Sequence, residues 1–151
     1  MGSCAPARRA IPGIVDAVAS HPFVALPPPK STGREAFGEA FHGPRFDAWS
    51  VHAAHDVARS LVAATAECIA RGTRSLLGQG GTLLVTGGGA RNPTLLTELE
   101  ARLPGTRVVR AASGVFAADH HEPAAMALIA ARTLARLPSS LPRVTGARRA
   151  A

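Results

Sequence analysis

The sequence predicts an α/β domain, and three observations carry that prediction. A short β-rich apolar run, Thr82-Leu83-Leu84-Val85-Thr86, ends in three glycines and leads into a helix opened by Asn92-Pro93. A second such run at residues 106–111, with Val108 and Val109 apolar, follows that helix. A further helix opens at Glu122-Pro123. The resulting β-loop-α-β-α order, with an additional long helix before it, belongs to the class in which strands and helices alternate.

Each element has its own reason. Residues 1–10 carry no periodicity and read as an irregular start. Residues 11–21 read as a short helix with Ile11, Ile14, Val15 and Val18 on one side. Residues 21–29 are expected to be extended, because prolines remove backbone donors and disfavour helix in the residue before them. Thr32 and Glu35 have capping-box spacing, so a short helix should start near Gly33 and carry Phe37 and Phe41 on one face. Gly43-Pro44 should break the chain. A long helix over residues 50–71 follows from the recurrence of Val57, Leu61, Ala64 and Cys68, widened by Ile69, and Gly72 is its expected stop. The run at 82–86 reads as a buried strand. The next helix has Asn92 as its cap and Pro93 at its first position. Leu95, Leu96, Leu99 and Leu103 form its core face, and Pro104-Gly105 ends it. After the second strand and a loop at 112–121, the last long helix should turn Met126, Ile129, Ala130, Thr133, Leu134 and Leu137 inward. Residues 138–151 form a tail rich in Pro, Ser and Arg.

Composition bounds the function. The chain has 151 residues, the length of one domain or of a piece of a larger protein. At 46% hydrophobic and 18% charged it is no globally disordered chain. No apolar run approaches the ~18 residues of a membrane span. Cys4 and Cys68 lie too far apart for a disulfide framework, and they point to a reduced compartment. Asp16, His21 and the prolines interrupt what would have to be the apolar stretch of a secretory signal.

The formal net charge is +7, yet residues 46–103 are neutral and much of the excess sits in stretches such as Arg8-Arg9 and Arg148-Arg149. No basic stripe is interleaved with aromatics, so nucleic acid is disfavoured as a partner. His52 and His55 lie one turn apart, but they lack the H-E-x-x-H spacing and have no third ligand in sequence, so no metal site is expected.

The glycine turn carries the chemistry. Glycine packs nothing, but it lets a ligand approach the backbone with no Cβ in the way. The helix beyond presents unpaired N–H groups and the positive end of its dipole. A nucleotide, another anion or a polar ring fits such a turn. A tight strand-to-helix connection needing φ > 0 would use the same residues. Two common phosphate motifs are excluded. Lys30-Ser31 follows Pro29 rather than the glycine of a Walker loop. In the dinucleotide fingerprint the last glycine is replaced, since Gly87-Gly88-Gly89-Ala90-Arg91 ends in Asn92, and the acidic ribose partner is absent.

Four pieces of the chain, in order, resemble the C-terminal half of the anhydro-N-acetylmuramic acid kinases. They are His21-Pro22-Phe23 through Pro29-Lys30-Ser31-Thr32-Gly33-Arg34-Glu35; Val85-Thr86-Gly87-Gly88-Gly89-Ala90-Arg91-Asn92-Pro93; Glu122 with its helix; and Leu141-Pro142-Arg143-Val144-Thr145-Gly146-Ala147. The first block is specific to the family. The second is shared among sugar kinases of the actin-like ATPase superfamily.

The resemblance implies the second lobe of an actin-like, ribonuclease H-like fold over residues 21–147, preceded by a segment at 1–20 and followed by a tail at 148–151. It implies a cytoplasmic bacterial enzyme of cell-wall sugar recycling that uses ATP and Mg²⁺. Water, assisted by an aspartate, opens the 1,6-anhydro ring of the amino sugar, and the released O6 takes the γ-phosphoryl group.

By the same resemblance Gly87, Gly88, Gly89 and Asn92 would line the nucleotide side. Glu122 looks like the family's glutamate near the sugar, although an acidic residue also suits a helix N-terminus on charge alone. Lys30, Ser31, Thr32, Gly33, Arg34 and Glu35 are expected to serve structure. The family's phosphate loop, Gly-Thr-Ser-Met-Asp-Gly, and its aspartate motif, Asp-Thr-Gly-Pro-Gly-Asn, do not occur in this sequence, and Pro123 stands where Ala is usual. The chain is therefore expected to hold no catalytic residue and to be inactive without a first lobe. The alternative is a module that binds nucleotide, or docks on a partner or a second copy, without catalysis.

Overall fold

A computed structural model describes residues 9–78, 80–111 and 120–149. Of the irregular start expected at 1–10 and the loop expected at 112–121, residues 1–8, Cys4 among them, and 112–119 lie outside the described residues. Helix α1 (Pro12–Ala19) takes Pro12 at its first turn, where no N–H is needed. It buries Ile14 and Val18, with Ile11 and Val15 alongside. Residues 21–29 are not extended throughout as expected. Pro22 opens a single helical turn, α2 (Pro22–Ala25), because His21 Nδ1 accepts the Phe23 N–H at 3.1 Å and caps it.

The capping box forms only in part. Glu35 accepts the N–H of Gly33 at 2.6 Å, while the Thr32 hydroxyl lies 3.4 Å from the same carboxylate oxygen. Helix α3 (Arg34–Phe37) stops at Gly38, where a Cβ would run into the Arg34 carbonyl, and α4 (Glu39–Trp49) begins at once. Phe37 and Phe41 therefore belong to two helices, yet their rings still meet at 5.5 Å. The break expected at Gly43-Pro44 does not occur, and Pro44 lies inside α4. Phe41 and Trp49, on either side of it, are buried in the same cluster. That burial outweighs the local penalty of a helical proline.

Helix α5 (Ala54–Leu77) is the spine. It starts four residues later than residue 50 and runs through Gly72, ending at Gly78, whose φ of +59° supplies the stop. Its expected stripe of Val57, Leu61, Ala64 and Cys68 does pack, against α1 and α4. A second face, which its alanines hid, packs on the opposite side. Ala66 there meets Leu95 and Leu99, with Val62 and Ile69 alongside.

The sheet is two parallel strands, β1 (Gly81–Val85) and β2 (Thr106–Arg110), with Leu83 opposite Val108. Between them α6 (Pro93–Arg102) forms the crossover. Strand β1 is not buried on both faces as expected. Leu83 and Val85 are half-buried among the residues of α5 and α6, while Leu84 stays 50% exposed, because the helices cover one face only. Helix α7 (His121–Leu134) departs further: Met126, Ile129, Ala130, Thr133 and Leu134, and Leu137 just beyond its end, are exposed, not inward, and no described element packs along them. A last turn, α8 (Pro142–Thr145), lies within the tail. Among the described residues no helix is long and apolar enough to cross a membrane.

Two polar ties hold the helices in register. Ser60, fully buried on α5, accepts the N–H of Ile11 at 2.8 Å and donates to the Asp56 carbonyl at 2.6 Å. Ser60→Ala is expected to strand that N–H at the start of α1 and to cost about 1–2 kcal/mol, read as a lower urea midpoint with an unchanged slope.

The second tie is a lattice of charges between α5 and α6. Arg59 pairs with Glu98, Arg102 with both Glu98 and Glu67 (3.1 Å), and Arg71 with Glu67 (2.8 Å). The hydrogen bond from Arg71, ahead of the other influences, holds the Glu67 carboxyl below the usual range. For Glu98 burial is the largest single influence and pushes upward, but Arg59 and Arg102 together outweigh it and the net direction is down. A carboxyl lowered by folding stabilises the fold above its unfolded value of about 4.3, and that contribution is lost as pH falls through the folded value. Urea midpoints should therefore drop as pH falls from 6 to 3, and Glu98→Gln should show a shallower drop from a lower start.

Candidate functional site

In a parallel pair both strands end at the same edge, and in open α/β sheets ligands bind beyond that edge. Here the carboxyl end of β1 runs into the glycine turn, a 3₁₀ turn at Gly88–Arg91, and then α6. Asn92 caps α6 through Oδ1, which accepts the Leu95 N–H at 3.2 Å, and Pro93 follows at the first position. The amino end of α7 arrives at the same place. A carboxylate oxygen of Glu122 lies 3.5 Å from where a Cβ on Gly87 would sit. The structure thus brings Gly87, Gly88, Gly89, Asn92 and Glu122 to one edge of the sheet.

The three glycines have three different reasons. Gly87 is buried and has φ +74° and ψ −173°, a conformation that L-residues with a Cβ rarely adopt. Gly89 is exposed but stands beside Leu95 of α6, and a Cβ there would meet Leu95 Cδ2 at 3.3 Å, closer than most packing allows. Gly88 has neither reason. Its φ is not positive, it is exposed, and a Cβ on it would meet nothing within 4 Å. Conformation and packing account for two glycines, and the remaining one presents bare backbone to open space beside a helix N-terminus.

The Lys30 to Glu35 block lies elsewhere. Lys30 reaches back to donate to the carbonyls of Phe23 (3.0 Å) and Val24 (2.9 Å), and its ammonium sits 4.9 Å above the Phe23 ring. It thereby closes the segment from α2 to α3 into a loop, a role its spacing in sequence does not announce. Glu35 is held below the usual carboxylate range by its own N–H first and by that of Gly33 next. Ser31, Thr32, Gly33 and Arg34 are exposed. His52 and His55 are exposed too, and His55 Nε2 sits 3.2 Å from Asp56 Oδ1. Among the described residues no group of three or more His, Cys, Asp or Glu is gathered to hold a metal ion.

Comparison with known proteins gives one consistent result. Residues 2–151 match the family model described as anhydro-N-acetylmuramic acid kinase. An anhydro-N-acetylmuramic acid kinase of Xanthomonas axonopodis pv. citri is 39% identical over 97% of this chain and 39% of its own length. One of Xanthomonas oryzae pv. oryzae is 39% identical over 97% of this chain and 38% of its own length. One of Nitrosomonas europaea is 36% identical over 97% of this chain and 40% of its own length. The chain thus spans about two-fifths of the length of the curated relatives it matches.

Proposed function

Because the chain belongs to the anhydro-N-acetylmuramic acid kinase family, we propose that it is the nucleotide-holding second lobe of a kinase that opens and phosphorylates a 1,6-anhydro amino sugar. The observation that carries this reading is Gly88, bare backbone at the carboxyl edge of a parallel strand pair, left open where its two neighbours are explained by the fold. ATP with Mg²⁺ supplies the phosphoryl group when bound.

The residues here fit one side of a nucleotide. Residues 87–89 admit its close approach, the first turn of α6 offers N–H groups and a favourable dipole, and Asn92 fixes the direction of that turn. Mg²⁺ is commonly held by one or two carboxylates, water and the phosphates themselves, so a cluster of protein ligands is not required of this chain. Glu122, exposed at the same edge, suits the sugar side as an acceptor for a substrate hydroxyl. Phosphoryl transfer rests on positioning and charge stabilisation from a phosphate cradle and an aspartate. Neither family motif for these occurs in this sequence, so turnover belongs to the assembled cleft, in the cytoplasm.

A titration of the ¹⁵N-labelled chain with Mg²⁺·ATP tests the reading. Saturable shifts confined to residues 87–96 are expected, with no phosphorylation of anhydro-sugar by the chain alone. Turnover by the isolated chain, or shifts scattered away from the turn, would contradict it.

A second reading is favoured by α7. Its exposed Met126, Ile129 and Leu134 make an apolar strip of the kind that marks association. On that reading the chain is a binding module that docks on a partner or on a second copy. Light scattering separates the two: a monomer at all concentrations counts against the module.

A further inference from the structure

A concavity of about 360 Å³ lies between α2, the proline segment after it and the last turns of α5. Its lining includes Pro27, Pro28, Lys30, Arg71, Gly72 and Ser75. It stands apart from the glycine turn, since the last turns of α5 lead into the amino end of β1 and the turn follows the carboxyl end.

Three features of this concavity point to a ligand. First, it is positive. Among the described residues Lys30 makes no ion pair, and its ammonium spends two of its three donors on the Phe23 and Val24 carbonyls. Arg71 commits Nε to Glu67 and Nη1 to the Ala19 carbonyl, which leaves Nη2 for another acceptor. Second, the two cations line the same concavity, together with Gly72 of α5. Third, Gly72 sits deep inside a 24-residue helix, where glycine is disfavoured, and a Cβ on it would meet nothing within 4 Å. Packing gives no reason for that glycine; it keeps the hollow open. Pro27 and Pro28 supply an apolar wall.

We propose that this concavity binds a small organic oxyanion, a carboxylate or a phosphomonoester, with its oxygens on Lys30 and Arg71 and its body against the prolines over Gly72. The volume lies at the low end of the range for small-molecule sites.

The test is a ¹⁵N titration of the chain with inorganic phosphate and, separately, with propionate, against chloride at matched ionic strength. Saturable shifts at Gly72 and Ser75 are expected, with a dissociation constant on the order of 1 mM, while residues 87–96 stay still. A response to phosphate only assigns a phosphomonoester, and a response to propionate only assigns a carboxylate. Gly72→Leu fills the hollow with a better helix former and should weaken binding at least tenfold, with no fall in thermal midpoint. Arg71→Gln gives a second measure and should weaken binding severalfold. Shifts no larger than those from chloride, or saturable binding that survives both substitutions, would overturn the proposal. Neither outcome bears on the nucleotide turn, which the Mg²⁺·ATP titration tests separately.

Discussion

Leu99→Ala is expected to remove about 3 kcal/mol from the stability of the chain, within the 2–5 kcal/mol range for a buried leucine cut back to alanine. Leu99 is fully buried on α6, where it meets Ala66 of α5 and lies over Val108 and Leu83 of the sheet. Its neighbours cannot collapse into the gap. Ala66 is too small to fill it, Leu95, Val62 and Ile69 are fixed on their own helices, and the strand pair is held by its own ladder, so the cavity term adds to the lost transfer energy. A domain typically has only about 5–15 kcal/mol in total, so this one change consumes a large share. The same substitution at Leu134, which is 86% exposed on α7, should stay within about 0.5 kcal/mol. Equilibrium urea unfolding of both variants is the measurement. Equal losses would mean that the cluster under α6 is not where the chain keeps its stability.

The contrast between these two leucines also marks what the sequence could reveal. The β1–α6–β2 unit was legible almost in full, because its signals are local. Asn92-Pro93 announces a cap, and Asn92 Oδ1 does cap α6. Leu95, Leu99 and Leu103 recur at helical spacing and are buried. The helices before the unit were read with shifted boundaries, because there the deciding forces are tertiary. Pro44 stays helical since Phe41 and Trp49 are both buried. Gly72 does not stop α5, because Gly78 six residues on adopts the positive φ that a stop needs. The second packing face of α5 went unread because Ala63, Ala66 and Ala70 carry almost no hydrophobic signal, although their small size is what lets the neighbouring helices approach. For α7 the expected inward face is exposed instead, because periodicity names a face and not its partner. The glycine turn was legible as a motif. What the three glycines each do became visible only with φ values and neighbours, which no spacing encodes.

Two alanine substitutions at adjacent positions, Gly87 and Gly88, should separate the fold's needs from the ligand's. Gly87→Ala meets no steric wall, since its Cβ would stand 3.5 Å from the Glu122 carboxylate, an ordinary contact. Its cost comes from the backbone: at φ +74° and ψ −173° a residue with a Cβ is strained by about 1–3 kcal/mol. The turn can relieve that strain only by rotating the peptide that aims Gly88–Arg91, and with it the first turn of α6. Gly87→Ala should therefore lose both stability and the response to Mg²⁺·ATP.

Gly88→Ala puts a methyl into open space at an ordinary φ, so stability should hold within about 0.5 kcal/mol. If a nucleotide lies against that peptide, the methyl stands where its atoms must come, and the ATP-dependent shifts should weaken at least tenfold. A Gly88→Ala chain that stays folded and keeps its full ATP response would show that the open glycine is not the contact surface. The nucleotide reading of the turn would then fall, while the family membership and the fold would stand.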